Sequence, residues 1–481
     1  MVETNLVGDA MLTRAEGIAA GRAARDRTPR TRLAEITTTG RDPLGILDRQ
    51  NSTRLADLVP LRTERMAANL FSFYRGTAAL MAADFSHEPN TGILVPSCGD
   101  AHISNFGFFA SPQRTLMFDL NDFDEAAWAP WEWDLKRLVA SIVIGARATR
   151  STAVADEAAR LSVIAYARAL RSAVATDPLQ RYFAHFNAST HLEGLDVDSE
   201  QDLQKAIAAA EKRTGERAAR RLTVTGDDGH LRFIEQPPVM THADPDIRGI
   251  SDDAFRRYAE SANVDIQLLL RQYRVRDVAR RVVGVGSVGT RCYLAMLGTS
   301  DAEPMILQVK EAGRSVLAEY GGIAQPADLQ SRIEEGGEGA RVVGLQRVLQ
   351  AFSDPFLGHI RGTEQDYYVR QFHDMKGSID TDVIEDEGYR EYAVACAITL
   401  ARAHAQAPAA TAISGYAGKG IELAEILVGW ANAYADLAAQ DYAAFVEQAA
   451  KKTPESTAKT KSSKTKKSTT TKKSTTKEKS A

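Results

Sequence analysis

The chain keeps helix-type and strand-type patterns in separate stretches. Met66, Leu70 and Phe73 recur at the i, i+4 and i+7 spacing of an amphipathic helix, and residues 131–148 have the same period. Residues 281–312 instead form two β-rich runs around the turn GTSDAEP, and an Asp-Gly pair in residues 222–235 predicts a β-hairpin. Helices and strands that do not alternate favour an α+β class. We therefore predict a helix-rich α+β fold.

The length and composition indicate an ordinary globular protein. At 481 residues the chain exceeds one core, and its 44% hydrophobic and 25% charged content matches folded proteins. It has no apolar run typical of a signal peptide or a membrane span, so we expect a cytoplasmic protein without a membrane partner. Its three cysteines lie far apart, which predicts reduced thiols.

Composition along the chain suggests five regions. The last of them carries 11 Lys against 2 Glu and no core-forming residues, which predicts disorder. Its lysines could bind nucleic acid non-specifically, another anionic partner or the acidic body of the chain itself. The predicted regions are a flexible leader (1–54), a helical region with a polar loop (55–255), a glycine-rich β region (256–380), C-terminal helices (381–450) and a disordered Lys/Ser/Thr-rich tail (451–481).

A polar loop and a nearby strand form the first chemical constellation. The loop CGDAHISN contains Asp100, His102 and Asn105, and the segment FDLNDFDEA adds Asp122 and Asp124. Carboxylate and amide oxygens suit Mg²⁺, and phosphoryl transfer uses one Asp as proton acceptor with an Asn and a later Asp at the metal. We predict Asp100 as the base, with Asn105, Asp122 and Asp124 at the metal and His102 orienting the loop. A solvated turn or a helix cap is the alternative.

The second constellation is the glycine-rich segment GVGSVG. Gly284, Gly286 and Gly289 are followed by a strand-like run, whereas a dinucleotide site needs a strand and then a helix. A glycine-rich hairpin fits better, because its backbone can approach phosphates closely. The next strand, MILQVK, carries Lys310 where a kinase-like site has its phosphate-pairing lysine, on the face opposite Val309. A surface lysine on an edge strand is the alternative.

These motifs resemble those of a known enzyme group and of a bacterial family. GDAHISN is similar to the Gly-Asp-x-His-x-x-Asn loop of aminoglycoside-phosphotransferase-like kinases, and Asp122 precedes Asp134 by the interval those kinases use. About residues 55–445 resemble the Domain of Unknown Function 2252 family of bacterial proteins, a label that implies no activity. The segments that carry this family resemblance are RTERMAANLFSFYRG, CGDAHISNFG, FDLNDFDE, WEWDLKRLVAS, QVKEA, YYVRQFHDMKGS and LARAHAQ.

The order of the motifs differs from that of ordinary kinases. There the glycine loop and the lysine strand come first, whereas here GVGSVG follows Asp100 by more than 180 residues. We therefore predict a circularly permuted, two-lobed, protein-kinase-like fold that brings Asp122 and Lys310 within the span of a triphosphate. The acidic partner of Lys310 stays open. The candidates are Glu319, Glu334, Glu335 and Glu338.

The resemblance implies a kinase-like phosphotransferase that uses ATP and Mg²⁺ on an unidentified hydroxyl-bearing acceptor. Three alternatives stay open. They are a nucleotide-binding regulator that acts through the basic tail, a metal-dependent hydrolase built on the Asp100 cluster, and a nucleotidyl transferase. Arg62, Arg65 and Arg75 could face a phosphate, or they could pair with acidic groups of the body.

Overall fold

The computed structural model describes residues 11–185, 197–213, 215–226, 231–243, 245–301, 303–372 and 376–452. It is an α+β fold with 55% helix and 15% strand, as the sequence predicts. The basic tail from residue 453 onward and the tip of the hairpin at 227–230 lie outside the described residues.

The helices are α1 (Arg14–Arg27), α2 (Pro43–Ser52), α3 (Val59–Ala67), α4 (Leu70–Arg75), α5 (Ala78–Ser86), α6 (Trp131–Ala146), α7 (Thr152–Ala175), α8 (Pro178–Phe183), α9 (Val197–Glu211), α10 (Gly215–Leu222), α11 (Pro245–Ser261), α12 (Val264–Leu270), α13 (Val316–Glu319), α14 (Ala327–Leu349), α15 (Asp386–His404), α16 (Ala410–Ala417) and α17 (Ile421–Lys452).

The strands are β1 (Leu94–Ser97), β2 (Phe106–Ala110), β3 (Leu116–Leu120), β4 (Ala127–Pro130), β5 (Thr223–Thr225), β6 (Leu231–Phe233), β7 (Met240–His242), β8 (Arg274–Arg281), β9 (Cys292–Gly298), β10 (Pro304–Ala312), β11 (Gly358–Ile360) and β12 (Asp366–Gln371).

One antiparallel sheet of six strands has the order β11-β12-β10-β9-β8-β7. GTSDAEP joins β9 to β10, which confirms the predicted turn. Leu307 and Val309 of β10 lie on the face that packs against α11 and α12, while Lys310 lies on the opposite face, as alternation predicts. Because β10 lies between β9 and β12 and Lys310 is buried, the edge-strand interpretation is wrong.

The helical part of the molecule is built around α6. Nearly every residue of this helix is buried, because α7, α15 and α17 pack against it. Its four charged residues are therefore buried as well, and each is either paired or hydrogen-bonded. They are Glu132, Asp134, Lys136 and Arg137. Two short antiparallel ribbons, β1–β4 and β2–β3, present the polar loop and the acidic segment at the edge of this body.

The flexible leader predicted for residues 1–54 is wrong for its described part. Helix α1 packs closely on α16, where a Cβ at Gly21 would lie 1.9 Å from the Ala412 carbonyl oxygen. Leu33 is fully buried and Arg41 pairs with acidic residues of the body. The sequence did not indicate the packing of α1 on α16, because a helix that packs through glycine and alanine has little hydrophobic periodicity.

The hairpin predicted from the Asp-Gly pair is present, with β5 paired to β6. The three cysteines, Cys98, Cys292 and Cys396, are free and buried, which confirms the expectation of reduced thiols. Among the helices that the structure describes, none combines enough length with enough apolar character to cross a bilayer.

Candidate functional site

The loop CGDAHISN is held by a carboxylate from α6. Asp134 accepts hydrogen bonds from the backbone N–H groups of Cys98 (2.6 Å) and Gly99 (2.9 Å), and His404 of α15 lies 3.3 Å from the same carboxylate. Gly99 has φ +79°, and a Cβ there would lie 2.3 Å from the Glu125 carbonyl oxygen, so only glycine fits. Two helices distant in sequence therefore fix the loop.

Asp100 is oriented by a buried arginine. Arg137 contacts Oδ1 of Asp100 through Nε (2.9 Å) and Nη2 (2.7 Å), and its guanidinium lies over the Tyr74 ring. The other carboxylate oxygen, Oδ2, lies 3.7 Å from Nε2 of His102. One edge of the Asp100 carboxylate is thus fixed to the protein, and Oδ2 is left to receive a proton from a ligand.

His102 is a buried part of the loop rather than an exposed reactive group. Burial lowers its pKa to about 4, so the imidazole is neutral at pH 7, although the charge of Asp100 acts in the opposite direction. Its ring meets the Phe71 ring edge-on, with centroids 6.4 Å apart. A neutral ring against the loop agrees with the orienting role predicted for this residue.

The Asn105 side chain joins the loop to the acidic segment. Nδ2 donates to the backbone carbonyls of Asp100 and Asp122, at 3.0 Å each. These two bonds fix the amide orientation and turn Oδ1 away from them. Within the described part of the chain, Oδ1 accepts no hydrogen bond, so this oxygen is free to bind a cation.

Lys310 joins the two constellations. Its Nζ lies 3.2 Å from Asp122 Oδ1 and 2.6 Å from Asp124 Oδ2, although nearly 190 residues separate the lysine from either aspartate. The distance predicted for Asp122 and Lys310 is therefore confirmed. The acidic partner left open is Asp122 together with Asp124, and none of the four glutamates considered pairs with Lys310.

The two aspartates differ in environment. Burial and the charge of Asp122 raise the pKa of Asp124, whose oxygens bind Lys310 and the Tyr368 hydroxyl (2.6 Å). Burial alone would raise the pKa of Asp122, but the charges of Lys310, Arg370 and Lys376 together outweigh it and hold this pKa below its usual range. The same two carboxylates raise the pKa of Lys310 despite its burial. The Asp122 side chain is 41% exposed, so it is the carboxylate that faces a ligand.

An arginine of α14 fixes the acidic segment. Arg341 donates to the backbone carbonyls of Asp124 (3.0 Å), Ala126 and Gly313 (2.8 Å), and it pairs with Glu338. Arg341 was not predicted from the sequence. Apart from Glu338, its partners are backbone carbonyls, whose positions depend on the folded chain, so residue types alone gave no signal.

Further cations surround Asp122. Arg370 of β12 donates to the Gln308 side chain (3.0 Å) and to the Asn121 carbonyl (3.2 Å), and its charge acts on Asp122. Burial lowers the pKa of Lys376 to about 7. The motif YYVRQFHDMKGS contains both cations, and alternation along it places Arg370 on the face of Tyr368. This alternation along the strand was the sequence feature that could have identified Arg370 as a site residue.

The glycine-rich segment forms the connection between β8 and β9, as predicted, instead of starting a helix. Gly284 and Gly289 have φ of +66° and +91°, which favour glycine. Val288 is fully buried and anchors the segment against α3. The backbone N–H groups of Gly286 and Ser287 donate to no acceptor among the described residues. They are therefore available to an anionic ligand.

The few free oxygens of the site suit a metal ion that is bound by the protein and by a substrate together. The described residues contain no group of three or more His, Cys, Asp and Glu side chains arranged to hold a metal ion by themselves. Asn105 Oδ1 and the exposed Asp122 carboxylate supply two hard oxygens, which fits Mg²⁺ because that ion keeps waters and binds substrate phosphates. Asp124 fits less well, because both of its oxygens are already hydrogen-bonded.

A family model for an "uncharacterized protein conserved in bacteria (DUF2252)" matches residues 54–448 of the chain. The match includes both the polar loop and the strand of Lys310. No curated protein matches the chain, and no solved structure matches it.

Proposed function

We propose a phosphotransferase function for this chain, which belongs to the DUF2252 family: transfer of the terminal phosphoryl group of ATP, with Mg²⁺, to a hydroxyl of an acceptor. One observation carries the proposal. Lys310 meets Asp122 at 3.2 Å, and the Asn105 amide connects Asp122 to the loop of Asp100. A base, two oxygens for a metal and a phosphate-pairing lysine therefore share one site.

The strand order supports a kinase-like arrangement in permuted sequence order. In protein kinases a glycine-rich loop joins two strands and the next strand carries the lysine. Here the segment with Gly286 joins β8 to β9, and β10 carries Lys310. Helix α14 follows β10 and packs against β11 and β12. The catalytic-loop residues precede these elements in sequence, which is the permutation that we propose.

The roles of the residues follow from their environments. Asn105 and Asp122 would hold Mg²⁺, which when bound neutralises the charge of the nucleotide phosphates. Lys310, held by Asp124, pairs with the phosphates, and the free N–H groups of the glycine-rich segment cover them. Oδ2 of Asp100 accepts the proton of the acceptor hydroxyl. Gln308 and Arg370, which are hydrogen-bonded to each other, make the surroundings of Lys310 polar.

Turnover of labelled ATP tests the proposal. Purified protein is incubated with Mg²⁺, γ-labelled ATP and a bacterial metabolite extract, and ADP and labelled products are quantified. We expect the wild type to consume ATP and Asp100→Asn to lose about 100-fold in turnover while it still binds nucleotide, because only the proton acceptor is removed. Asp436→Asn, at an exposed pair with Arg147, is the matched control. Equal turnover by wild type and Asp100→Asn would contradict the proposal.

A further inference from the structure

Arg75, the last residue of α4, lies beside the polar loop. Two residues of the same helix contact the loop or its supports: Phe71 packs on His102, and the Tyr74 carbonyl accepts a hydrogen bond from Arg137 (2.9 Å). The charges of Asp100 and Asp122 both act on the Arg75 guanidinium. The side chain thus lies near the base and the metal-site carboxylate at the same time.

Arg75 has no partner that would explain its position structurally. The residue is partly exposed, but its Nε is buried and has no hydrogen-bond acceptor among the described residues. It makes no ion pair or side-chain hydrogen bond with any residue that the structure describes. Burial lowers its pKa, which reflects an incompletely compensated charge. A buried N–H donor without an acceptor is unfavourable, and an anionic ligand at the guanidinium would compensate it.

The glycine-rich segment lies directly over Arg75. A Cβ at Gly286 would lie 3.1 Å from the Arg75 carbonyl oxygen, so the loop and the end of α4 are in van der Waals contact. The free N–H groups of Gly286 and Ser287 are therefore close to Arg75. The backbone of Arg75 thus contacts the glycine-rich segment, while its guanidinium is within reach of the charges of the two aspartates.

Two more arginines add positive charge on this side of the loop. Arg54 donates to the Val288 carbonyl, and Arg62 donates to the Gly76 carbonyl (3.3 Å) and to the Asn51 side chain (2.6 Å). Arg62 is buried and Arg54 is partly buried, both have an unsatisfied Nε, and neither forms an ion pair among the described residues. Their partners are neutral, so the positive charge around Arg75 is left for a ligand.

We infer that Arg75 is a catalytic residue that contacts the phosphoryl group during its transfer. This inference rests on the proposed function. In the step, a bond forms between the acceptor oxygen and the terminal phosphorus while the bond from that phosphorus to the leaving ADP oxygen breaks. The acceptor proton moves to Oδ2 of Asp100. The phosphoryl oxygens carry negative charge throughout, and Arg75 donates to them alongside Lys310.

Aluminium fluoride provides the test, because with Mg²⁺ and ADP it mimics the phosphoryl group in transfer. Calorimetric titrations compare Mg·ADP with Mg·ADP plus aluminium fluoride in the wild type, Arg75→Ala and Arg75→Lys. We expect at least about tenfold tighter binding with fluoride in the wild type and loss of that gain in Arg75→Ala, with unchanged affinity for Mg·ADP alone. Arg75→Lys should recover part of the gain, since it keeps the charge but not the planar fork.

A control and two opposing outcomes complete the test. Arg49→Ala, at an exposed pair with Asp42, should behave as wild type, and the thermal midpoint of each variant shows that it is folded. If Mg·ADP binds and the fluoride gain survives in Arg75→Ala, the role of Arg75 is wrong while the proposed function stands. If the wild type binds no Mg·ADP, the proposed function and the inference fall together.

Discussion

Lys310 is held by two neighbouring aspartates, and this arrangement assigns them different roles. Asp124 has no free oxygen, because Lys310 and Tyr368 occupy both. Asp122 contacts Lys310 through Oδ1 only, and its side chain is the more exposed of the two. Asp124 therefore positions the lysine. Under the proposed function, Asp122 binds the metal and releases Lys310 to the phosphates.

His102 gives the fold a predicted pH dependence. Its pKa is about 4 in the folded protein against an ordinary value of 6.5, so the unfolded chain binds the proton more tightly. The contribution of neutral His102 to the free energy of unfolding is therefore complete above about pH 6.5 and is lost as the pH falls toward 4. In urea titrations over this range, His102→Gln should lose less stability than the wild type, by up to about 3 kcal/mol at pH 4. Parallel curves for the two proteins would show that His102 does not titrate this way.

The residues of the candidate site were easier to predict from the sequence than their supports. The spacing within CGDAHISN and FDLNDFDEA predicted that Asp100, Asn105 and Asp122 belong to one site, and the structure brings the three together. Arg341 and Arg370 were missed because arginines are frequent here and bind backbone carbonyls from distant segments. Such partners become visible only when the fold brings those segments together.

At the scale of secondary-structure elements, the glycine-rich hairpin is packed against neighbouring parts of the fold. Val282 and Val288 are buried against residues near α3, the Leu55 N–H donates to the Gly289 carbonyl (2.8 Å), and Gly286 contacts Arg75. The strand–turn–strand pattern was predictable because glycine punctuates it. Its packing on α3 and α4 was not, since those helices lie more than 200 residues away in sequence.

Gly286→Val tests this packing. The new Cβ would lie 3.1 Å from the Arg75 carbonyl oxygen, and the branched methyl groups would push the loop away from the site. We expect nucleotide affinity to fall by about tenfold or more, with little change in thermal midpoint because the loop valines still pack. Gly429→Ala on α17, where the added Cβ meets no atom within 4 Å, is the control. Unchanged affinity in Gly286→Val would contradict the placement of the loop.

At the scale of the molecule, residues 11–53 are part of the fold. Arg41 contacts Asp84 (2.7 Å) and Asp441 (2.7 Å), and Tyr434 donates to Asp84 as well (2.8 Å). These bonds join the N-terminal segment to α5 and α17. Charge alone could not reveal this, because an Arg-rich stretch is typical both of flexible leaders and of buried pairing.

Arg41→Ala should destabilise the whole protein. It leaves two buried carboxylates without their cation, which costs about 3–5 kcal/mol of unfolding free energy. Thermal or urea denaturation measures the change. Arg160→Ala removes an exposed pair with Glu425 and should change the stability by no more than about 1 kcal/mol. Equal stability of the two variants would mean that the N-terminal segment is not coupled to the body.

The central claim is that Lys310, Asp122 and Asn105 form one nucleotide site with a metal. Calorimetric titration of ATP, with and without Mg²⁺, into the wild type and Asp122→Ala tests it most directly. We predict Mg²⁺-dependent binding in the wild type and its loss in Asp122→Ala, because the variant lacks the exposed carboxylate that faces the ligand. Failure of the wild type to bind ATP in either condition, or equal Mg²⁺-dependent binding by the variant, would contradict the claim.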